Sequence, residues 1–226
     1  MKKQVSVTYM IFGLFFTVCL ITANIVGQKL ITVGGINVTA GLLVFPITYI
    51  INDLIAEVWG YRKMRFIIWN GFLMNFFVVL IFRISIWAPA SQGFMHQHAF
   101  SMILHSTERI TVASFIAFLF GSFLNAFVMS KMKIIQHGRH FSIRAVVSTI
   151  IGEGADSMIF ITIAFSGILH RHELMILILT QAGLKILYEI LALPVTNYIV
   201  KCVKKQEQTD VFDHTISYNP FKINDI

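Results

Sequence analysis

Charge is what this chain has least of. Only 13% of its 226 residues are charged, acids number 11 against 18 Lys and Arg, and mean hydropathy reaches +0.74. Ordinary soluble domains carry about 25% charged residues, so that class is excluded. Cysteine is scarce too. Cys19 and Cys202 lie in or at the end of apolar runs, and no disulfide is expected. No G-x-x-x-x-G-K-[ST] loop is present, which excludes ATP hydrolysis by that route. An H-E-x-x-H ligand helix and a recognisable nucleophile are missing as well, so neither a metal centre nor an enzyme is expected. His96, His98, His105, His170 and His172 fall between apolar runs and read as solvated loop residues.

Apolar runs are abundant. A spanning helix needs about 20 predominantly apolar residues. Six such stretches can be read, at about 8–32, 40–59, 66–87, 110–130, 145–169 and 174–200. The sequence therefore predicts an all-α polytopic membrane protein, with six transmembrane helices in 1–203. A polar tail, 204–226, has mixed charge and little periodicity, and is expected to be flexible. The "MKK" start resembles a secretory signal, but the run behind it is too long and lacks a convincing cleavage site, so an uncleaved first helix is expected.

A net charge of +7 would raise the question of nucleic acid in a soluble protein. In a membrane protein it reports topology. With these spans, 13 of the 18 cations fall on one side, including Arg62, Lys63, Arg65, Lys133, Arg139, Arg144, Lys204 and Lys205. The opposite loops hold Arg109 and Arg171. Both termini are accordingly expected on the cytoplasmic side. Three spans per half would place the halves in opposite orientations, as in inverted-repeat transporters. Loose support comes from "TANIVGQK" (22–29) against "LNAFVMSK" (124–131), and from "INDLIAE" (51–57) against "IGEGADS" (151–157).

Acids inside the spans carry the functional signal. An ionisable group near the bilayer centre costs at least about 2.5–3.5 kcal/mol unless it faces protein or water. Asp53 and Glu57, at i and i+4, share a helix face with Tyr49, and Asn52 is adjacent. Glu153 and Asp156 are three residues apart in the fifth span, and Gln181, Lys185 and Glu189 repeat at i, i+4 and i+8 in the sixth. Three helices thus turn polar stripes toward a common interior. Lys185 and Asp156 are expected to pair, while Lys29 pairs with another acid or snorkels outward. Single Asn residues such as Asn24, Asn75 and Asn125 also serve as packing glue between helices. Five acids against two deep cations exceed what packing requires. Pro194 marks a kink or hinge in the sixth span; Pro46, near a helix start, is better tolerated.

"TANIVGQKL", "GLLVFPITYIINDLIAEVWGYRKMR", "IWNGFLMN", "STIIGEGADSMIF" and "QAGLKILYEILALPVT" together resemble the queuosine precursor transporter family, a vitamin-uptake type. The resemblance runs over roughly 15–200. It implies a bacterial inner-membrane importer of a 7-deazaguanine, such as preQ0, preQ1 or queuine, used for tRNA modification. The partners so implied are that small molecule and the lipid bilayer, with no nucleic acid and no cofactor; a monomer and a homodimer are both open. The substrate-binding candidates are then Asn24, Tyr49, Asn52, Asp53, Glu57, Trp69, Asn70, Asn75, Glu153, Asp156, Gln181, Lys185 and Glu189. A carboxylate accepts the adjacent N–H and amine of a guanine-like edge as a bidentate pair, and Tyr49 or Trp69 suits stacking on a flat ring. The alternative is a substrate-capture subunit that depends on a separate ATPase module.

Overall fold

The computed structural model describes residues 6–27, 29–33, 36–104, 108–168 and 170–222. Helix α1 (Val7–Val26) opens on Ser6, whose hydroxyl accepts the Tyr9 N–H at 3.2 Å. A hairpin follows, β1 (Leu30–Val33) antiparallel to β2 (Ile36–Thr39), rich in the β-branched residues that suit strands. Next come α2 (Phe45–Trp59), α3 (Tyr61–Trp87), a short α4 (Gln97–Leu104), α5 (Glu108–Ile135), α6 (Phe141–Phe165) and α7 (Arg171–Glu207). Among the described residues, six helical stretches are long and apolar enough to cross a membrane, and α4, with eight residues, is too short. The chain is a multi-pass membrane protein.

Several boundaries differ from the apolar runs, for physical reasons. The first run extends to residue 32, but α1 stops at Val26, where the Gly27 N–H caps Ala23 and the chain turns toward the hairpin. Helices α3, α5, α6 and α7 run on through basic residues that end a hydropathy window. Arg65, Lys133 and Arg144 are therefore buried helix residues, not loop cations. At about 1.5 Å per residue the 37 residues of α7 are well over the roughly 30 Å of a hydrocarbon core. Pro194 sits within it, and Pro46 lies in the first turn of α2, where no intrahelical donor is lost.

Helix α2 is the axis of the fold. It contacts α1, α3, α5, α6 and α7, and 12 of its 15 residues are buried. Phe16 and Leu20 of α1, Leu54, Ile55 and Val58 of α2, Met64 and Ile68 of α3, and Phe118 and Met129 of α5 form one apolar core. Leu14, Phe15, Phe77, Leu179 and Leu191 point outward, as a lipid-facing surface demands. Helices α5 and α6 cross closely at Gly121 and Gly152. A methyl group on Gly152 would lie 2.6 Å from the Asn125 Cβ and 2.9 Å from the Gly121 carbonyl.

Residues 208–222, which composition alone leaves loose, lie against the basic end of the bundle. Asp213 is buried; its Oδ2 accepts the Tyr61 N–H at 2.8 Å and the Ser130 hydroxyl at 2.5 Å. Arg65 Nη1 donates to the carbonyls of Ser217 and Asn219, at 3.0 and 2.9 Å, and Trp69 Nε1 donates to that of Pro220 at 2.8 Å. The attachment uses isolated side chains in tertiary contacts, so it leaves no periodic trace in the sequence.

Candidate functional site

One face of α2 places Tyr49, Asn52, Asp53 and Glu57 against α5, α6 and α7. On α6 the facing residues are Arg144, Ser148, Gly152 and Asp156, one helical turn apart in succession, with Thr149 and Glu153 beside them. The Ser148 hydroxyl lies 3.2 and 3.3 Å from the two oxygens of Asp53. Its neighbour Thr149 donates to Glu189 of α7. Two consecutive residues of α6 thus contact two carboxyl groups, Asp53 of α2 and Glu189 of α7, and these two acids lie within reach of each other. Asn125 of α5 faces Asp53 as well.

Charge is distributed in three groups. Lys185 Nζ lies 2.6 Å from Asp156 and 2.7 Å from Glu153, so the expected Lys185 contact includes a second acid. The Phe45 ring covers that ammonium, 4.3 Å from the ring centroid. Glu57 meets Arg144 at 2.7 Å and Lys204 at 2.6 Å, while Arg62, nearer in the sequence, is exposed. Asp53 and Glu189 form no ion pair among the described residues.

Several unmatched polar atoms lie on the helices that meet here, while Arg65 Nε and Gln136 Oε1 lie elsewhere. The Tyr49 hydroxyl, the Asn52 carbonyl oxygen, both amide atoms of Asn125 and the Ser157 hydroxyl are buried without a hydrogen-bond partner in the protein. Asn52 does use its Nδ2, which donates to the Ser122 carbonyl at 3.1 Å. Tyr49 stands near Asp156, Glu153 and Glu189. Buried polar groups are nearly always paired, so such a concentration of exceptions calls for an explanation. Among the described residues, no group of three His, Cys, Asp or Glu is arranged to hold a metal ion.

Other candidates lie elsewhere. Asn24 accepts from Ser114 at 3.1 Å and, with Asn75, lines a cavity of about 40 Å³ closed by Ile103 and Leu104 of α4. Trp69 belongs to an apolar groove of about 410 Å³ beside the tail, where its ring meets Phe72, Phe123 and Phe221. Asn70 donates to Phe66 of its own helix at 2.8 Å, and Gln181 is half-buried on α7. Lys29 is exposed just ahead of β1. His105 lies outside the described residues.

The family model described as "putative vitamin uptake transporter" matches residues 39–199, which include α2, α3, α5, α6 and most of α7. The chain belongs to that family. Among curated relatives, this vitamin-uptake-type transporter is 24% identical over 197 residues to a "probable queuosine precursor transporter" of Bacillus subtilis (strain 168), covering 86% of this chain and 84% of that one. A "queuosine precursor transporter" of Escherichia coli (strain K12) is 26% identical over 157 residues, 68% of this chain and 66% of its own. A third, from Haemophilus influenzae, is 26% identical over 127 residues, 56% of this chain and 52% of its own. No solved structure matches the chain.

Within this transporter, sequence reasoning gave no site role to Arg144, Ser148, Thr149 and Lys204, and read Arg144 and Lys204 as topology cations. A signal for the first two was present. Arg144, Ser148, Gly152 and Asp156 repeat every four residues, which places a polar stripe one turn deeper than the apolar run suggests.

Proposed function

We propose that the chain imports a queuosine precursor, a 7-deazaguanine, across the bacterial inner membrane, with its site around Asp53. The names of the curated relatives support the solute class. The observation that carries the site is Asp53, a fully buried carboxylate with no cation partner among the described residues, beside the unmatched Asn52 carbonyl oxygen and Asn125 amide. Glu57, Glu153 and Asp156 are each held by a cation; Asp53 is left to accept the paired N–H donors of a guanine-like edge. Asn125 and Asn52 supply amide contacts to the remaining polar atoms, and the Tyr49 ring offers an aromatic face.

Import then proceeds by exposing this interior to each side in turn, and the solute leaves chemically unchanged. The cations gathered around Glu57 support a cytoplasmic position for that end of the bundle and for both termini. Radiolabelled queuine and its two simpler precursors, offered separately to a strain unable to make queuosine, test the reading. Expression of the chain should restore queuosine in tRNA from at least one of them. Unmodified tRNA with all three, in cells holding the folded protein, would refute it.

A further inference from the structure

We propose that Asp53 and Glu189 hold one proton between them in the unloaded protein, and that a cationic solute displaces this proton when it binds. The inference rests on the site assigned under the proposed function.

The geometry separates this pair from the other acids on the facing stripes of α2, α6 and α7. Glu57 is neutralised by Arg144 and Lys204, and Glu153 and Asp156 share Lys185. Around Asp53 and Glu189 the contacts are neutral donors, the Ser148 and Thr149 hydroxyls. The surrounding charges are already committed. On α7, Lys185 is one turn from Glu189 but is held by the acids of α6. On α6, Arg144 is one turn from Ser148 but is held by Glu57. On α2, Tyr49 and Glu57 flank Asp53 by one turn each way, and α5 contributes Ser122 and Asn125.

Two carboxylates side by side in a medium of low polarity cannot both stay ionised, because each raises the cost of the other's charge. One proton shared between them leaves the pair with a single negative charge. A second observation shows that the place is built for a guest. The Tyr49 hydroxyl and both amide atoms of Asn125 are buried, unpaired and close to these acids.

Charge conservation then fixes the fate of the proton. A solute carrying an ammonium group brings one positive charge into the buried site; the acid proton leaves to the aqueous buffer, and the buried net charge is unchanged. A neutral solute brings none, so the proton stays. The pair therefore distinguishes solutes by charge through proton release.

Two measurements on the full-length protein in nanodiscs test this. Infrared spectroscopy of the unloaded protein at neutral pH should show the carbonyl stretch of a protonated carboxyl group that is lost in both Asp53→Asn and Glu189→Gln. Its absence from the unaltered protein, or its persistence in both variants, would overturn the proposal. In weak buffer with a pH indicator, 7-aminomethyl-7-deazaguanine should release close to one proton per molecule bound, and 7-cyano-7-deazaguanine none. Equal release by the two solutes, or none by either despite saturable binding, would also overturn it. Failure of both to bind would instead count against the import reading, and the infrared result would still decide the proton.

Discussion

Glu57 of α2 and Arg144 of α6 meet at 2.7 Å with side chains 1% and 0% exposed, tying the two central helices together inside the protein. The other Glu57 oxygen meets Lys204 of α7 at 2.6 Å. Glu57→Gln removes the charge that both cations face. Breaking one partner of a buried pair costs about 3–5 kcal/mol, so the variant should show a markedly lower thermal midpoint in detergent. Adding Arg144→Met should recover part of the loss. A Glu57→Gln protein as stable as the unaltered one would show that the contact contributes nothing.

Lys185 holds two acids, so its removal has a graded signature. Lys185→Met leaves Glu153 and Asp156 facing each other without a cation, at a cost of about 3–5 kcal/mol. Adding Asp156→Asn relieves one charge, and the double variant should give more folded protein than the single one. Equal yields would mean that Lys185 and Asp156 act independently.

At the turn between α2 and α3, Gly60 has φ 85° and ψ 168°, a backbone region nearly closed to other residues. A Cβ there would also lie 2.7 Å from Asp213 Oδ1 and 2.9 Å from Val211 Cγ1. Gly60→Ala should therefore destabilise by about 1–3 kcal/mol and loosen the tail. Gly154→Ala in α6, where the new methyl meets open space, should be neutral or stabilising. Thermal unfolding of the two variants side by side checks the contrast.

Asp210 gives the tail a pH dependence. Burial opposes its ionisation, yet Lys133 and Lys204, at 2.5 and 2.8 Å, outweigh this and hold its carboxyl below the usual carboxylate range. A carboxylate depressed in the folded state stabilises fully above its unfolded value of about 4 and loses that contribution as pH falls through the folded value. Proteolytic cleavage after Glu207 should accordingly speed up below about pH 4, and Asp210→Asn should flatten that dependence. An identical acid profile in the variant would remove Asp210 from the attachment.

Rarity made the acids legible in the sequence. Carboxylates are so costly in an apolar span that Asp53, Glu57, Glu153, Asp156 and Glu189 stood out, and helical spacing put them on shared faces. Arg144 escaped because a hydropathy window ends at a charge, whereas the helix continues when a buried acid such as Glu57 waits for it. Trp69 looked like a stacking residue because an aromatic side chain on a span carries no label for its neighbours. Those neighbours include the tail residues Pro220 and Phe221, set by tertiary contact from over 150 positions away. An isolated anchor such as Asp213 has no periodicity to read.

Binding by an Asp53→Asn variant tests the central assignment most directly. The amide keeps the shape but turns one acceptor oxygen into a donor aimed at a donor, so the bidentate pair with a guanine-like edge is lost. A buried donor left unsatisfied costs about 1–3 kcal/mol. Affinity for 7-deazaguanines should therefore fall by about one to two powers of ten, with folding and membrane insertion intact. A well-folded Asp53→Asn protein that binds and imports them as the unaltered chain does would contradict the placement of the solute at Asp53.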